Sequence, residues 1–278
     1  MPEVGRGALG LDLLLGAADI VDLSLPLDVD LPGTWPGHMP YRHIVDRWYE
    51  EAHEADAPGP PGGPQARGYY TAWLTIDEHT GTHVDAPIHN SPPTGADEVA
   101  AGAVDRIPLA QLVGPARVID ATDLGPAATG ESPLVGAPAV LEHEERWGEI
   151  GAGEIVLLRT GWDSRYLPGE EGRGYVEDPK VRGEGPGWAA PGVDCVELLA
   201  ARGVRCLGTD APTVGPLQDP VPTHRRGFGL GMVFVEGLAR LGRLPARGAA
   251  FVCLPLKVVG GSGAPARAAA FLPAGESS

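Results

Sequence analysis

Asp77-Glu78-His79-Thr80-Gly81-Thr82-His83-Val84-Asp85-Ala86-Pro87-Ile88-His89 holds three histidines and an aspartate at close spacing. Imidazole nitrogen and carboxylate oxygen together suit borderline divalent metals such as zinc. His79 and His83 stand four apart, which on a helix would put both on one face. The segment is a poor helix, because Thr80, Gly81 and Thr82 separate the two and Pro87 follows closely. No glutamate follows His79, so the H-E-x-x-H metalloprotease pattern is not met. Residues 69–76 are rich in aromatic and β-branched side chains and predict a strand. Gly81 then lets the backbone turn. An extended His83-Val84-Asp85 points His83 and Asp85 to the same side, because side chains alternate along a strand. His79 folds back across the glycine to meet them, and His89 lies beyond the proline, within reach of the same centre. A single histidine here would read as a surface residue. Three with an aspartate in this order predict a metal site.

Working outward, the chain has 278 residues, enough for one large domain or two small ones, and 43% of them are hydrophobic. Its 41 glycines and 29 prolines predict many tight loops. The net charge of -16 argues against a nucleic-acid partner, which needs a basic footprint. Cys195, Cys206 and Cys253 form no CxxC pair and are odd in number, so they read as small buried hydrophobes in a reducing cytoplasm. Residues 7–23 are apolar but interrupted by Asp12, Asp19 and Asp22, which fits a short helix leading into a strand better than a signal peptide. No apolar run is long enough to span a bilayer. A cytoplasmic protein is expected.

Residues 20–25 predict the first strand, ended by Pro26, and residues 31–38 a rigid loop carrying Trp35. Residues 47–68 hold Trp48, Tyr49 and a Pro-Gly run, and read either as a lid over a ligand or as a plain surface loop. His38, His43 and His53 read as solvated loop histidines, and His143 as an exposed helix histidine. Strands are expected at 116–119, 154–159 and 204–207, and a helix at 193–201 between Pro191-Gly192 and Gly203. The strand at 204–207 delivers Gly208-Thr209-Asp210-Ala211-Pro212 to its end, a common location for site residues. Farther on, Glu236 ends an apolar run beginning at Met232. Burying a lone carboxylate is costly, so it needs a cation. Arg240 and a metal are both candidates, as are a helix-capping role and plain exposure to solvent.

His79-Thr-Gly-Thr-His83-Val-Asp85-Ala-Pro87-Ile-His89 resembles the HxGTHxDxPxH signature of the cyclase family, which includes bacterial kynurenine formamidase and isatin hydrolase. Asp22-Leu23-Ser24 with Trp35-Pro36-Gly37 resembles the family's N-terminal signature, and Gly208-Thr209-Asp210-Ala211-Pro212-Thr213-Val214 its middle block. His224 and Glu236, twelve apart, resemble its distal ligand pair, and 254–258 with 261–267 its C-terminal block. The likeness runs over nearly the whole chain.

The resemblance implies a single α/β domain over 1–278, of the swivelling β/β/α type, and a homodimer or homotetramer. It implies one metal on His79, His83 and Asp85, and a second on Asp85, His224 and Glu236, with Asp85 bridging. The ions would be Zn2+ or Mn2+, one or two per subunit. His89 would be the acid/base. Candidate walls for a substrate are Trp35, Trp48, Tyr49 and Phe228, whereas Trp73 reads as core. The expected activity is metal-dependent hydrolysis of an aryl formamide or cyclic amide, with N-formylkynurenine as the leading substrate and an isatin-like compound as the other. The alternatives are a cyclase, a dehydratase or a lactone hydrolase of secondary metabolism, or a metal-binding protein without catalysis.

Overall fold

The computed structural model describes residues 18–47, 70–91, 95, 102–124 and 127–272. Its strands are β1 (Asp19–Asp22), β2 (Arg42–Arg47), β3 (Thr71–Thr75), β4 (His83–Asp85), β5 (Val113–Asp120), β6 (Leu134–Val135), β7 (Ile155–Arg159), β8 (Ala190–Pro191), β9 (Cys206–Thr209), β10 (Val233–Glu236), β11 (Arg247–Pro255) and β12 (Gly263–Leu272). The α-helices are α1 (Ala137–Trp147), α2 (Val193–Ala201) and α3 (Val221–Gly229).

An eight-stranded sheet runs in the order β1-β12-β11-β5-β7-β9-β10-β4. β5, β7, β9 and β10 are parallel neighbours. Parallel strands need crossovers, and α1, α2 and α3 supply them between β5 and β7, β7 and β9, and β9 and β10. The remaining pairings within this sheet are antiparallel. β4 pairs with β10 on one side and with Gly263, Ala264 and Pro265 of β12 on the other, so the sheet returns on itself.

The composition of β7, Ile-Val-Leu-Leu-Arg, suits a strand covered on both faces. Ile155 and Leu157 join Val118, Cys206, Val235, Phe251 and Cys253 in one buried cluster enclosed by the closed sheet. Val156 and Leu158 join Val196, Leu199, Phe228 and Phe234 in a second cluster, between sheet and helices. α2 contributes Cys195, Val196, Leu199 and Ala200 to that layer, the i, i+3, i+4 spacing of an amphipathic helix. All three cysteines are buried and free, in line with their reading as small hydrophobes. A third cluster gathers Trp162, Tyr166, Tyr175 and Trp188, with Trp35 packed against it.

Three expectations need correction. Trp73 is not core: it stands 69% exposed on the separate β2–β3 ribbon, with Ile44 as its cross-strand partner. A two-stranded ribbon outside the main sheet has no face to bury there. His143 is not exposed. α1 turns it inward beside Val140, where it is 7% exposed and burial lowers its pKa, helped by the Arg117 charge. The strand expected at 204–207 runs instead from Cys206 to Thr209, so Gly208 and Thr209 belong to the strand and not to its exit. Most of the lid expected at 47–68, with Trp48, Tyr49 and His53, lies outside the described residues, as does most of the helix expected in 7–23. Among the described residues no helix is long and apolar enough to cross a membrane.

Candidate metal centre

The turn before β4 is built from side-chain to backbone bonds. Asp77 Oδ1 accepts the His79 amide at 2.9 Å, and Thr80 Oγ1 accepts the Asp77 amide at 3.2 Å. Gly81 follows with φ +63, its amide 2.7 Å from the Gly33 carbonyl. A Cβ at Gly81 would meet only the movable tip of Leu27, so it is the left-handed φ that calls for glycine here. The chain then enters β4, whose ladder sets the ligands. Glu236 of β10 lies opposite His83, and the alternation of the strand keeps Asp85 on the same side as His83. On the other flank Gly263 lies opposite Asp85. A Cβ there would come within 2.7 Å of His79 Cε1, so the missing side chain is the space the imidazole occupies. α3 delivers His224 from the opposite layer.

The sequence-distant residues converge. His79 Nδ1 is 2.7 Å from Asp85 Oδ1, and His83 Nε2 is 3.3 Å from the same oxygen and 3.4 Å from Glu236 Oε2. His224 Nε2 is 3.2 Å from Glu236 Oε1 and 3.7 Å from Asp85 Oδ2. Ligand atoms of His79, Asp85 and His89 lie within 4.8 Å of one another, and so do those of His83, Asp85 and Glu236. His79 and His83 thus both face Asp85 Oδ1. The two rings stand edge-on at 89°, and Ser262 holds the Nε2 side of His79, so its Nδ1 faces Asp85. Asp85 is common to both groups.

Three of the four imidazoles are also held from behind. His83 Nδ1 donates to the Gly81 carbonyl at 2.9 Å, and His224 Nδ1 to the Pro220 carbonyl at 2.8 Å, which leaves each Nε2 free to face the centre. His79 Nε2 lies 3.1 Å from Ser262 Oγ, which donates to Glu78 Oε2 at 2.6 Å. Such outer partners fix tautomer and ring orientation in metal-ligating histidines. His89 has none among the described residues. Its ring stacks at 4.1 Å on that of His79, its side chain is 29% exposed, and its Nε2 is 3.9 Å from Asp85 Oδ2, beyond hydrogen-bond range. Glu236 is held by Thr213 Oγ1 at 2.9 Å and the Val214 amide at 2.8 Å. Arg240 turns elsewhere, its guanidinium donating to the Asp22 carbonyl at 3.1 Å.

The electrostatics are those of a cation site. Burial would lower the pKa of His83, but Asp85 and then Glu236 outweigh it and push it up to about 10. Burial likewise opposes the charge of His224, and Glu236 and Asp85 raise it to about 9. Glu236 falls to about 2: burial and the Asp85 charge push it up, and His224 and His83 more than reverse them. Asp85 is also held well below its usual range, because His79 and His83 overcome its burial. His89 moves the other way, lowered chiefly by burial. Asp85 Oδ2 is buried with no hydrogen-bond partner among the described residues. A divalent cation would satisfy that oxygen and take the place of the protons on His83 and His224, and the mixed nitrogen and oxygen donors fit one.

The centre opens into a cleft of about 230 Å³, lined by the imidazoles, Glu236, Thr213, Trp35, Tyr175 and Val176 among others. Trp35 is where the wall reading places it, edge-on to Trp188 at 6.3 Å. Phe228 is not a wall. It is 6% exposed and packs on Phe234 at 4.9 Å behind the His224 ring, because α3 points it at the helix layer. His38 stays an exposed loop histidine, as expected, though it lines the cleft and pairs with Asp77 at 3.1 Å. Asp210 does not join the ligands. It accepts from the Thr160 and Gly161 amides at 2.8 and 2.9 Å, and burial pushes it up to about 6. Sequence reasoning missed Glu78, Ser262, Thr213 and Tyr175 as individual residues. Thr213 and Ser262 lie inside the middle and C-terminal blocks, so a signal existed for them; Tyr175 carried none.

The chain is 33% identical over 275 residues to the isatin hydrolase of Roseibium aggregatum, covering 95% of this chain and 96% of that protein. It is 35% identical over 198 residues to the kynurenine formamidase of Salinibacter ruber, covering 70% and 76% of the two. A crystal structure of an isatin hydrolase bound to the product analogue thioisatinate superposes with a TM-score of 0.74 at 28% identity, over 95% of this chain and 96% of that one. The mixed α/β fold is therefore the one the resemblance implies. The family model described as "Putative cyclase" matches residues 21–216, a span that takes in the His79–His89 signature and the middle block. By its sequence, its fold and the constellation on β4, β10 and α3, the chain belongs to the cyclase family.

Proposed function

We propose that this protein is a metal-dependent hydrolase of the C–N bond in aryl amides, with an isatin-like cyclic amide as the first substrate class and N-formylkynurenine as its linear counterpart. The observation that carries the proposal is the convergence of four imidazoles and two carboxylates at one point of an aromatic-walled cleft. The likeness to an isatin hydrolase over nearly the whole of both chains supports the cyclic substrate. His79, His83, Asp85, His224 and Glu236 would hold zinc or manganese, as one or two ions. When bound, such an ion activates water at neutral pH and polarises a carbonyl.

The protein's own residues do the rest. Carbonyl oxygens hold His83 and His224 with Nε2 inward, and Thr213 and the Val214 amide hold Glu236, so the donors are arranged before any ligand enters. His89, without an outer partner and partly exposed to the cleft, takes a proton from the attacking water. It returns that proton to the leaving nitrogen as the C–N bond breaks. Its depressed pKa keeps the ring neutral, as a base must be, at neutral pH. Trp35 offers a flat apolar surface to an aryl ring. A homodimer or homotetramer in the cytoplasm, with no nucleic-acid partner, completes the proposal, the last supported by the net charge of -16.

The test is an assay of zinc-loaded and manganese-loaded protein with isatin and N-formylkynurenine. Ring-opened acid from the first, or formate from the second, is the expected product. No turnover of either with either metal would overturn the proposal.

A further inference from the structure

Glu78 stands in the turn one residue before His79, and its carboxylate reaches across to Ser262, just ahead of β12. Glu78 Oε2 accepts both the Ser262 amide at 2.9 Å and the Ser262 hydroxyl at 2.6 Å. Ser262 Oγ in turn lies 3.1 Å from His79 Nε2. The glycines on either side of Ser262 leave room for this line of three residues. A Cβ at Gly261 would press on Glu78 Oε1 at 2.8 Å, and one at Gly263 would come within 2.7 Å of His79 Cε1.

His79 differs here from the other two imidazoles held from behind. His83 and His224 each face a backbone carbonyl, which can only accept, so Nδ1 carries the proton and Nε2 the lone pair. A serine hydroxyl both donates and accepts, so Ser262 alone would leave the proton of His79 on either nitrogen. Glu78 removes that ambiguity. A carboxylate only accepts, so the Ser262 hydroxyl proton is committed to Glu78, and Ser262 offers His79 a lone pair. Nε2 is then the protonated nitrogen, and Nδ1 points its lone pair at Asp85 Oδ1, 2.7 Å away. Two acceptors this close need a shared cation, a proton or a metal ion. We propose that Glu78 is a positioning residue of the metal centre: acting through Ser262, it fixes the proton of His79 on Nε2 and makes Nδ1 the ligand atom, the reverse of His83 and His224. This rests on the metal-binding half of the function proposed above and deepens it, because it assigns the donor atom of each histidine.

NMR of the nitrogen-labelled, cadmium-loaded protein reads which ring nitrogen of each histidine couples to the ion, and chelator competition reads zinc affinity. In wild type His79 should couple through Nδ1, and His83 and His224 through Nε2. Coupling of His79 through Nε2 overturns the proposal, whatever the variants do. Glu78→Leu frees the Ser262 hydroxyl to donate to His79, so zinc binding should weaken about 10- to 100-fold. Glu78→Gln keeps a carbonyl acceptor for Ser262, so it should retain the Nδ1 coupling and bind zinc within about fivefold of wild type. Ser262→Ala should lose as much affinity as Glu78→Leu, and the double variant no more than either, because the two act through one contact. Additive losses, or unchanged affinity in Glu78→Leu, overturn the proposal. Circular dichroism checks that each variant is folded, and should Glu78→Leu or Ser262→Ala unfold, the wild-type coupling decides. No substrate enters these measurements. The expected coupling without hydrolysis of isatin or N-formylkynurenine fails the proposed function alone, and hydrolysis with Nε2 coupling fails the role of Glu78 alone. Protein that binds neither zinc nor cadmium fails both.

Discussion

Replacing His89 with alanine separates a proton carrier from a ligand. The side chain is 29% exposed and packs mainly on the His79 ring at 4.1 Å, so its loss should cost the fold no more than about 1 kcal/mol. It has no outer partner of the kind that fixes His79, His83 and His224, so metal content should stay at the wild-type level. A positioned general acid/base contributes roughly 10²–10⁴ in rate, which is about 2.7–5.5 kcal/mol of barrier at 1.36 kcal/mol per tenfold. The His89→Ala variant should therefore keep its metal and lose that factor in kcat. The pH profile supplies a second readout. Burial lowers the His89 pKa, and a nearby cation would lower it further, so the acid limb of kcat/KM in the wild type should fall below about pH 6.5, the free imidazole value. The variant should lack that limb. Elemental analysis of His89→Ala beside His83→Ala is the deciding assay. Equal loss of metal in the two would make His89 a ligand, a result its place in the group of His79 and Asp85 leaves room for.

Changing Glu236 to Gln removes the charge but not the shape. The amide oxygen must stay where Thr213 and the Val214 amide donate, which turns the NH2 toward His83, so metal stoichiometry should drop from two toward one by elemental analysis, and an unchanged value would favour a mononuclear centre. Ser262→Ala, which cuts the link from His79 Nε2 to Glu78, should weaken metal binding by about 10- to 100-fold in a chelator competition while leaving the secondary structure intact. In metal-free protein His83 titrates near 10 and His224 near 9, both above the free imidazole value, so the folded state binds more protons than the unfolded chain between those limits. The stability they lend is therefore full below about pH 6.5 and lost as pH rises through 9 to 10, which denaturant melts of chelated protein at pH 6, 8 and 10 should show. The same protons compete with the ion, so metal affinity should rise with pH across that window.

The elements legible in the sequence were those with a local cause. β7 is an apolar run, α2 lies between a Pro-Gly pair and a glycine, and β4 follows a glycine that must turn. The ligands were legible because residue type and spacing carry them. What escaped depends on partners far along the chain. Trp73 has strand composition, but nothing local says that its ribbon stands apart from the sheet. Phe228 faces away from the cleft because Phe234, on another element, receives it. His143 sits among charged residues on a helix whose rotation is set by the sheet beneath it. The Nε2 side of His79 rests on Ser262, 183 residues away.

β4 is three residues long, yet it is the strip that joins the last strand of the ring, β10, to β12. Two of its three residues are His83 and Asp85, so the seam of the barrel and the candidate cation site are one place. An ion held there would act as a clasp, with Glu236 linking β4 to β10 and His224 linking it to α3. Chelation should thus unlatch the seam first. Amide exchange should quicken in 83–85 and at Gly263 and Ala264, while β5 and β7, on the far side of the ring, keep their protection.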